Sequence, residues 1–243
     1  MANGPAGEGV WRSPGGFISL SVKNRISKAQ LFSDPSIKPT TRLWLVRHAE
    51  VEAKYQGTFG GRIDMDLSPK GHLQAASLGR YLAGVSFDAC YASPMRRVRL
   101  TMESMQLVGL PEPVVLEGLR EIDFGSWTGL AFHEVQERFG VDASTWLEQI
   151  ETGGMAGGES TAVFGARVKP CLDRILTEQP GKNILVPCHG GVIRMLLAIT
   201  MGLPLPKMSS FQVEYASITQ IWWPAAEPEL RLVNFTPWRD IGI

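Results

Sequence analysis

Arginine and histidine recur just after three short apolar runs of this 243-residue chain. Leu43-Trp44-Leu45-Val46 leads into Arg47-His48-Ala49-Glu50, and Asp88-Ala89-Cys90-Tyr91-Ala92 into Ser93-Pro94-Met95-Arg96-Arg97. Asn183-Ile184-Leu185-Val186-Pro187 leads into Cys188-His189-Gly190-Gly191. Guanidinium groups are planar, permanently charged and bidentate, which suits them to phosphate. A neutral imidazole is a nucleophile, and its ordinary pKa near 6.5 makes that form available around neutrality. Phosphoryl transfer depends mainly on positioning and charge, so an Arg/His cage can carry it without a metal. Each piece has a plainer reading. Arg47-His48 alone would pass for a surface feature, Arg96, Arg97 and Arg99 for a solvated helix face, and His189 for a core histidine. Their common placement sets them apart.

The elements that must position these residues follow from hydrophobic patterning. Continuous apolar runs four to six residues long read as strands buried on both faces. Ser68-Pro69 opens a helix, with Ser68 as N-cap, Pro69 at its first position and an apolar face of Leu73, Ala76, Leu78 and Leu82, ending near Gly84. Ser93-Pro94 is expected to open a second helix in the same way. Val114–Leu116 reads as a short strand, and residues 131–139, 143–150, 162–177 and 190–201 as helices. Ser217–Trp223 and Leu230–Phe235 read as strands split by a Pro-containing turn. Strands alternating with helices predict a three-layer α/β/α sandwich around a mostly parallel sheet. In such sheets ligands sit beyond the carboxyl ends of the strands, with helix N-termini behind them.

Composition narrows the function classes. Lys+Arg and Asp+Glu both number 24, so no broad basic field points to nucleic acid or an anionic membrane. Three widely spaced cysteines, Cys90, Cys171 and Cys188, without a CxxC pair argue against a disulfide framework or structural zinc, and fit a reducing cytoplasm. The longest apolar run, 192–205, is interrupted by Arg194 and Pro204 and is too short and polar to span a bilayer. Residues 1–40 are rich in Gly and Ser, are broken by Pro-containing turns and lack an apolar signal core. They read as a flexible leader before a domain at 41–243, with organelle targeting the lesser reading. No metal, cofactor or macromolecular partner is implied, and oligomeric state is not encoded in any pattern.

Leu45-Val46-Arg47-His48-Ala49-Glu50 resembles the Arg-His-Gly-Glu signature of the histidine phosphatase superfamily, whose fold is phosphoglycerate mutase-like. The resemblance continues through Asp66–Gly71, Ser93–Val98 with Thr101, Leu119–Gly129, Gly157–Ser160 and His189–Arg194, in the family's order across roughly residues 42–235. It implies a phosphoric monoester hydrolase with His48 as the nucleophile that forms a phosphohistidine. By the same resemblance Arg47, Arg97 and His189 bind the phosphoryl oxygens. Glu121 protonates the leaving alcohol and then activates water, while the Gly190 backbone helps orient the pocket.

Three positions depart from the pattern around the site. Ala49 replaces the usual Gly. Lys54 stands where many members carry an Asn that contacts phosphate. Cys188 holds a position usually taken by Ser or Thr and is expected to be a buried thiol. The Phe124–Gly129 block and the short interval to Gly157 resemble the α-ribazole and broad-specificity phosphatase branch more than the phosphoglycerate mutases. Thr128 there replaces a frequent Glu. Mutase-type phosphoryl transfer is the alternative, and a non-catalytic binding module on the same fold a lesser one. The substrate is expected to be a small phosphorylated metabolite. Phe59, Arg62, Trp127 and Trp146 are candidates for its organic part, with core packing the alternative for the tryptophans and favoured for Trp146.

Overall fold

The computed structural model describes residues 39–224 and 227–242. The leader expected over 1–40 thus lies outside the described residues except for its last two positions. The central sheet has six strands: β1 (Thr41–Arg47), β2 (Ala89–Ala92), β3 (Val114–Val115), β4 (Asn183–Cys188), β5 (Ile218–Trp223) and β6 (Glu229–Phe235). Their order is β3-β2-β4-β1-β5-β6. Pairs β3–β2, β2–β4 and β4–β1 are parallel, whereas β5 runs antiparallel to both its neighbours. The mostly parallel three-layer fold read from the sequence is the one observed.

Strand alternation builds the two cores. Leu43 and Leu45 of β1, Ile184 and Val186 of β4, and Ala89 and Tyr91 of β2 face one side. Val46, Leu185 and Cys90 face the other. The first face is covered by α5 (Thr161–Glu178), through Phe164, Val168, Leu172 and Ile175, and by α6 (Gly190–Met201), through Val192, Ile193 and Leu196. The second is covered by α1 (Pro69–Leu82) and α2 (Arg96–Met105). A cap of α3 (Phe132–Phe139) and α4 (Trp146–Thr152) lies between β3 and α5 in sequence, and α7 (Pro237–Asp240) ends the described chain.

Ser68 caps α1 as expected, its Oγ accepting from Gly71 N at 2.9 Å. The apolar face assigned to α1 needs correction: Leu73 is 71% exposed, and the buried stripe runs through Gln74, Ala75, Leu78 and Leu82. The face turned to α2 is set by close approach at Gly79. A Cβ at Gly79 would run into the Met105 carbonyl of α2, so the helices meet across glycine rather than across large side chains. The start of α2 is also corrected. Its N-cap is Met95, two residues beyond Ser93, because the Ser93 hydroxyl is engaged elsewhere. The helix expected over 143–150 divides into a 3₁₀ turn, Ala143–Thr145, and α4.

Candidate active site

The register of β1 against β4 pairs Arg47 with Cys188, and His48 N continues the ladder by donating to Cys188 O at 3.0 Å. His48 and His189 therefore emerge side by side at the carboxyl edge of the sheet, with ring centroids 5.3 Å apart. Thr101 of α2 ties the second strand's helix to the first strand's end: its Oγ1 accepts from Ala49 N at 3.0 Å and donates to Arg97 O at 2.7 Å. This clamp fixes where Arg97 leaves its helix. Arg97 is buried, whereas Arg96 and Arg99 are exposed on salt bridges to Asp66 and Glu103.

Arg97 Nε donates to His48 Nε2 at 3.2 Å, and its two terminal nitrogens hold Gly61 O and Ile63 O, each at 2.9 Å. One side chain thus links the nucleophile candidate to the loop carrying Gly61 and Ile63. His48 Nδ1 lies 2.8 Å from Ala49 O. A carbonyl only accepts, so Nδ1 carries the ring proton and the lone pair is on Nε2. Burial, then the charges of Arg97 and Arg47, hold the His48 pKa well below 6.5, with the Ala49 carbonyl opposing. His48 is neutral at physiological pH. Burial similarly lowers His189, followed by the Arg97, His48 and Arg47 charges. Burial brings Arg97 down to about 10, against the raising effect of Glu121, which leaves it charged at neutrality.

Glu121 reaches the same edge from the loop after β3. Its Oε1 accepts from Ile122 N at 3.0 Å and its Oε2 from Gly191 N, in the first turn of α6, at 3.1 Å. An ion pair between partly buried Arg167 and buried Glu159 holds this loop. Arg167 of α5 donates to Glu159 Oε1 and Oε2, both at 2.7 Å, and to the carbonyls of Gly118, Arg120 and Glu121 at 2.8, 2.7 and 3.1 Å. Glu159 in turn accepts from Asp123 N at 2.9 Å. Burial opposes its charge, but these partners keep its pKa below the ordinary value.

Arg47, His48, Arg97, Glu121 and Gly190 line one cleft of about 230 Å³. His189 does not line it but lies fully buried behind His48, its Nε2 2.7 Å from Ser93 Oγ. Ser93 Oγ also accepts from Met95 N at 3.3 Å, which leaves its own proton free to be donated to His189 Nε2; in that tautomer the His189 ring proton sits on Nδ1. Arg47 Nε and His189 Nδ1 are buried polar atoms without a protein partner among the described residues. Phe59 lines the cleft; Lys54 and Arg62 do not. Lys54 pairs with Glu52, and Arg62 with Asp123 and Glu159. Trp127 is core, whereas Trp146 packs against the core, as favoured, and also lines the cleft. Cys188 is fully buried, and burial pushes its thiol far above the ordinary range, away from any nucleophilic role.

The profile of the histidine phosphatase superfamily (branch 1) matches residues 43–236. The chain belongs to this superfamily. It is 33% identical over 195 residues to phosphoserine phosphatase 1 of Hydrogenobacter thermophilus, covering 80% of this chain and 92% of that protein. It is 32% identical over 206 residues to the adenosylcobalamin/alpha-ribazole phosphatase of Escherichia coli, covering 83% and 98%. The crystal structure of a phosphoserine phosphatase from Entamoeba histolytica with 3-phosphoglyceric acid superposes with a TM-score of 0.68. It is 27% identical and covers 81% of this chain and 98% of that one. The chain is thus a phosphatase of the histidine phosphatase superfamily.

Several residues of this histidine phosphatase's site were not singled out by sequence reasoning. Ser93 has the look of a helix cap, Arg167 lies in mid-helix, and Tyr215 follows no motif. The Arg47 guanidinium stacks 4.1 Å above the Tyr215 ring, which is itself 5.5 Å from His48. Arg194 also lines the cleft, its terminal nitrogens donating to Gly190 O and Phe211 O at 3.3 and 3.1 Å. No described helix is long and apolar enough to cross a membrane.

Proposed function

We propose that this phosphatase hydrolyses a small phosphomonoester through a phosphohistidine on His48 Nε2. The observation that carries the reading is the His48 hydrogen bond to Ala49 O. It fixes the tautomer and puts the lone pair on Nε2, where it accepts from Arg97 Nε until a phosphoryl oxygen takes over that donor and frees the lone pair to attack. The phosphoryl group takes the position in front of Nε2. Its oxygens accept from Arg47, whose buried Nε has no protein partner, and from Arg97, with His189 Nδ1 completing the cage. As the N–P bond forms, the P–O bond to the alcohol breaks, and Glu121 gives that oxygen a proton. Glu121 then takes a proton from water, whose oxygen attacks phosphorus and returns His48 to its neutral state. The arginines supply the positive charge a metal would otherwise provide. The relatives named as phosphoserine and alpha-ribazole phosphatases support a small metabolite as substrate.

The test is a screen of phosphorylated metabolites with the wild type and His48→Ala, in chelator. It includes 3-phosphoglycerate with and without 2,3-bisphosphoglycerate. Phosphate release lost in the variant is expected. Isomerisation of phosphoglycerate outrunning release would favour the mutase, and turnover by the variant would remove His48 from the chemistry.

A further inference from the structure

Away from its phosphoryl end, the cleft is walled by aromatic rings. Phe59 packs against Phe124 and Phe132 with centroids 5.0 and 4.9 Å apart, and Trp146 stands 5.4 Å from Phe124. Phe132, at the start of α3, is 48% exposed although it lines the cleft. It is not a loose surface ring. Its N–H donates to Gly57 O at 3.3 Å, and the preceding residue, Ala131, bridges Thr58, so loop and helix form one wall.

The cations tell the complementary story. Among the described residues, those lining the cleft are Arg47, Arg97 and Arg194. Arg47 has Nη1 on Val213 O at 2.6 Å and its buried Nε open to the phosphoryl group. Arg97 has Nε on His48 and both terminal nitrogens on backbone carbonyls. Arg194 has its terminal nitrogens on carbonyls and lies beside Arg47, since a Cβ at Gly190 would touch both, at 3.3 and 3.4 Å. Lys54 and Arg62, the cations of the neighbouring loop, are turned to acidic partners outside the cleft. A carboxylate on the alcohol side of a substrate would lose water and meet the negative faces of rings without a counter-charge. A flat apolar group would bury area there and stack.

We propose that the cleft selects phosphomonoesters of uncharged aromatic alcohols over those of amino acids and sugar acids, with Phe132 and Trp146 as specificity-determining side chains. This rests on the hydrolytic reading above. It separates this chain from the relative crystallised with 3-phosphoglyceric acid.

The experiment compares kcat/KM for 3-phenylpropyl phosphate, propyl phosphate and phosphoserine, all esters of primary alcohols, in the wild type, Phe132→Ala and Trp146→Leu. The phenyl ester is expected to exceed the propyl ester by tenfold or more, on the order of what a well-filled apolar pocket gives, and phosphoserine to fall below both. In each variant the loss on the phenyl ester should exceed that on the propyl ester about tenfold. Phosphoserine matching the phenyl ester, or variants lowering all three substrates equally, overturns the selectivity and leaves the phosphatase reading standing. Release from none of the three, nor from p-nitrophenyl phosphate, overturns the phosphatase reading and the selectivity with it.

Discussion

Gly191→Ala gives a sharp probe of Glu121. The glycine has an ordinary helical backbone, so alanine introduces no strain and is the better helix former. Its new Cβ would lie 3.2 Å from Glu121 Cδ and well inside van der Waals contact of Oε1. Carbon contacts settle at about 3.5–4.0 Å, so the carboxylate must retreat by roughly 1 Å. That movement breaks its hydrogen bond to Gly191 N or to Ile122 N. A catalytic group misplaced by about 1 Å loses on the order of 10²-fold in rate, within the 10²–10⁴-fold that general acids contribute. The assay is rapid-mix kinetics on two substrates. With an alkyl phosphate, whose leaving group needs a proton, the first turnover should slow about 10²-fold. With p-nitrophenyl phosphate, whose leaving group does not, a burst of p-nitrophenolate should keep close to its wild-type rate constant. The steady state should then slow, because dephosphorylation still needs Glu121 to activate water. The melting temperature should hold. Equal slowing of both first turnovers, or unchanged alkyl phosphate hydrolysis, would refute the assignment of Glu121 as the acid.

Other expectations follow from the same geometry. Arg167→Met leaves buried Glu159 with only the longer, half-exposed pair to Arg62 and frees the Glu121 loop. Breaking one partner of such a pair should cost about 3 kcal/mol, read as a Tm lower by roughly 6–12 °C for a chain of this size. Ser93→Ala removes the hydroxyl from His189 Nε2 and should lower kcat roughly tenfold by leaving a buried ring nitrogen unpaired, with KM little changed. His48 and His189 are held neutral in the fold but take up protons when unfolded. Their contribution to stability is thus full above pH 6.5 and is lost as pH falls below it. Chemical denaturation should show less stability at pH 5.5 than at 7.5, and a His189→Asn variant a smaller dependence. A flat profile over that range would show that the histidines are not buried as neutral groups.

Much of the site was legible in the sequence because strand ends are. Apolar runs placed Arg47, His48 and His189, and parallel pairing brings their ends to one edge. Ser68 showed itself as a cap through local chemistry alone. Ser93 did not, because Ser-Pro after a strand has the same local form whether the hydroxyl caps a helix or, as here, serves His189 from 96 positions away. Arg167 was hidden for a similar reason: its partners at 118, 120, 121 and 159 are assembled only by packing α5 against the Glu121 loop. Trp127 and Trp146 look alike in sequence. Only the tertiary position of the cap buries one fully and leaves the other packed on the core with a face to the cleft. Lys54 and Arg62 were turned away by acidic neighbours whose reach the spacing did not reveal.

The central claim is that phosphate leaves the substrate onto His48 Nε2. Acid-quenching gives the wrong pH for such a bond, so the decisive measurement is a rapid alkaline quench of enzyme mixed with ³²P-labelled substrate, followed by peptide mapping. The expected label is stable to base, labile to acid, located on the peptide containing His48 and absent from His48→Ala. Full turnover with no label on that peptide, or label retained in the variant, would contradict it.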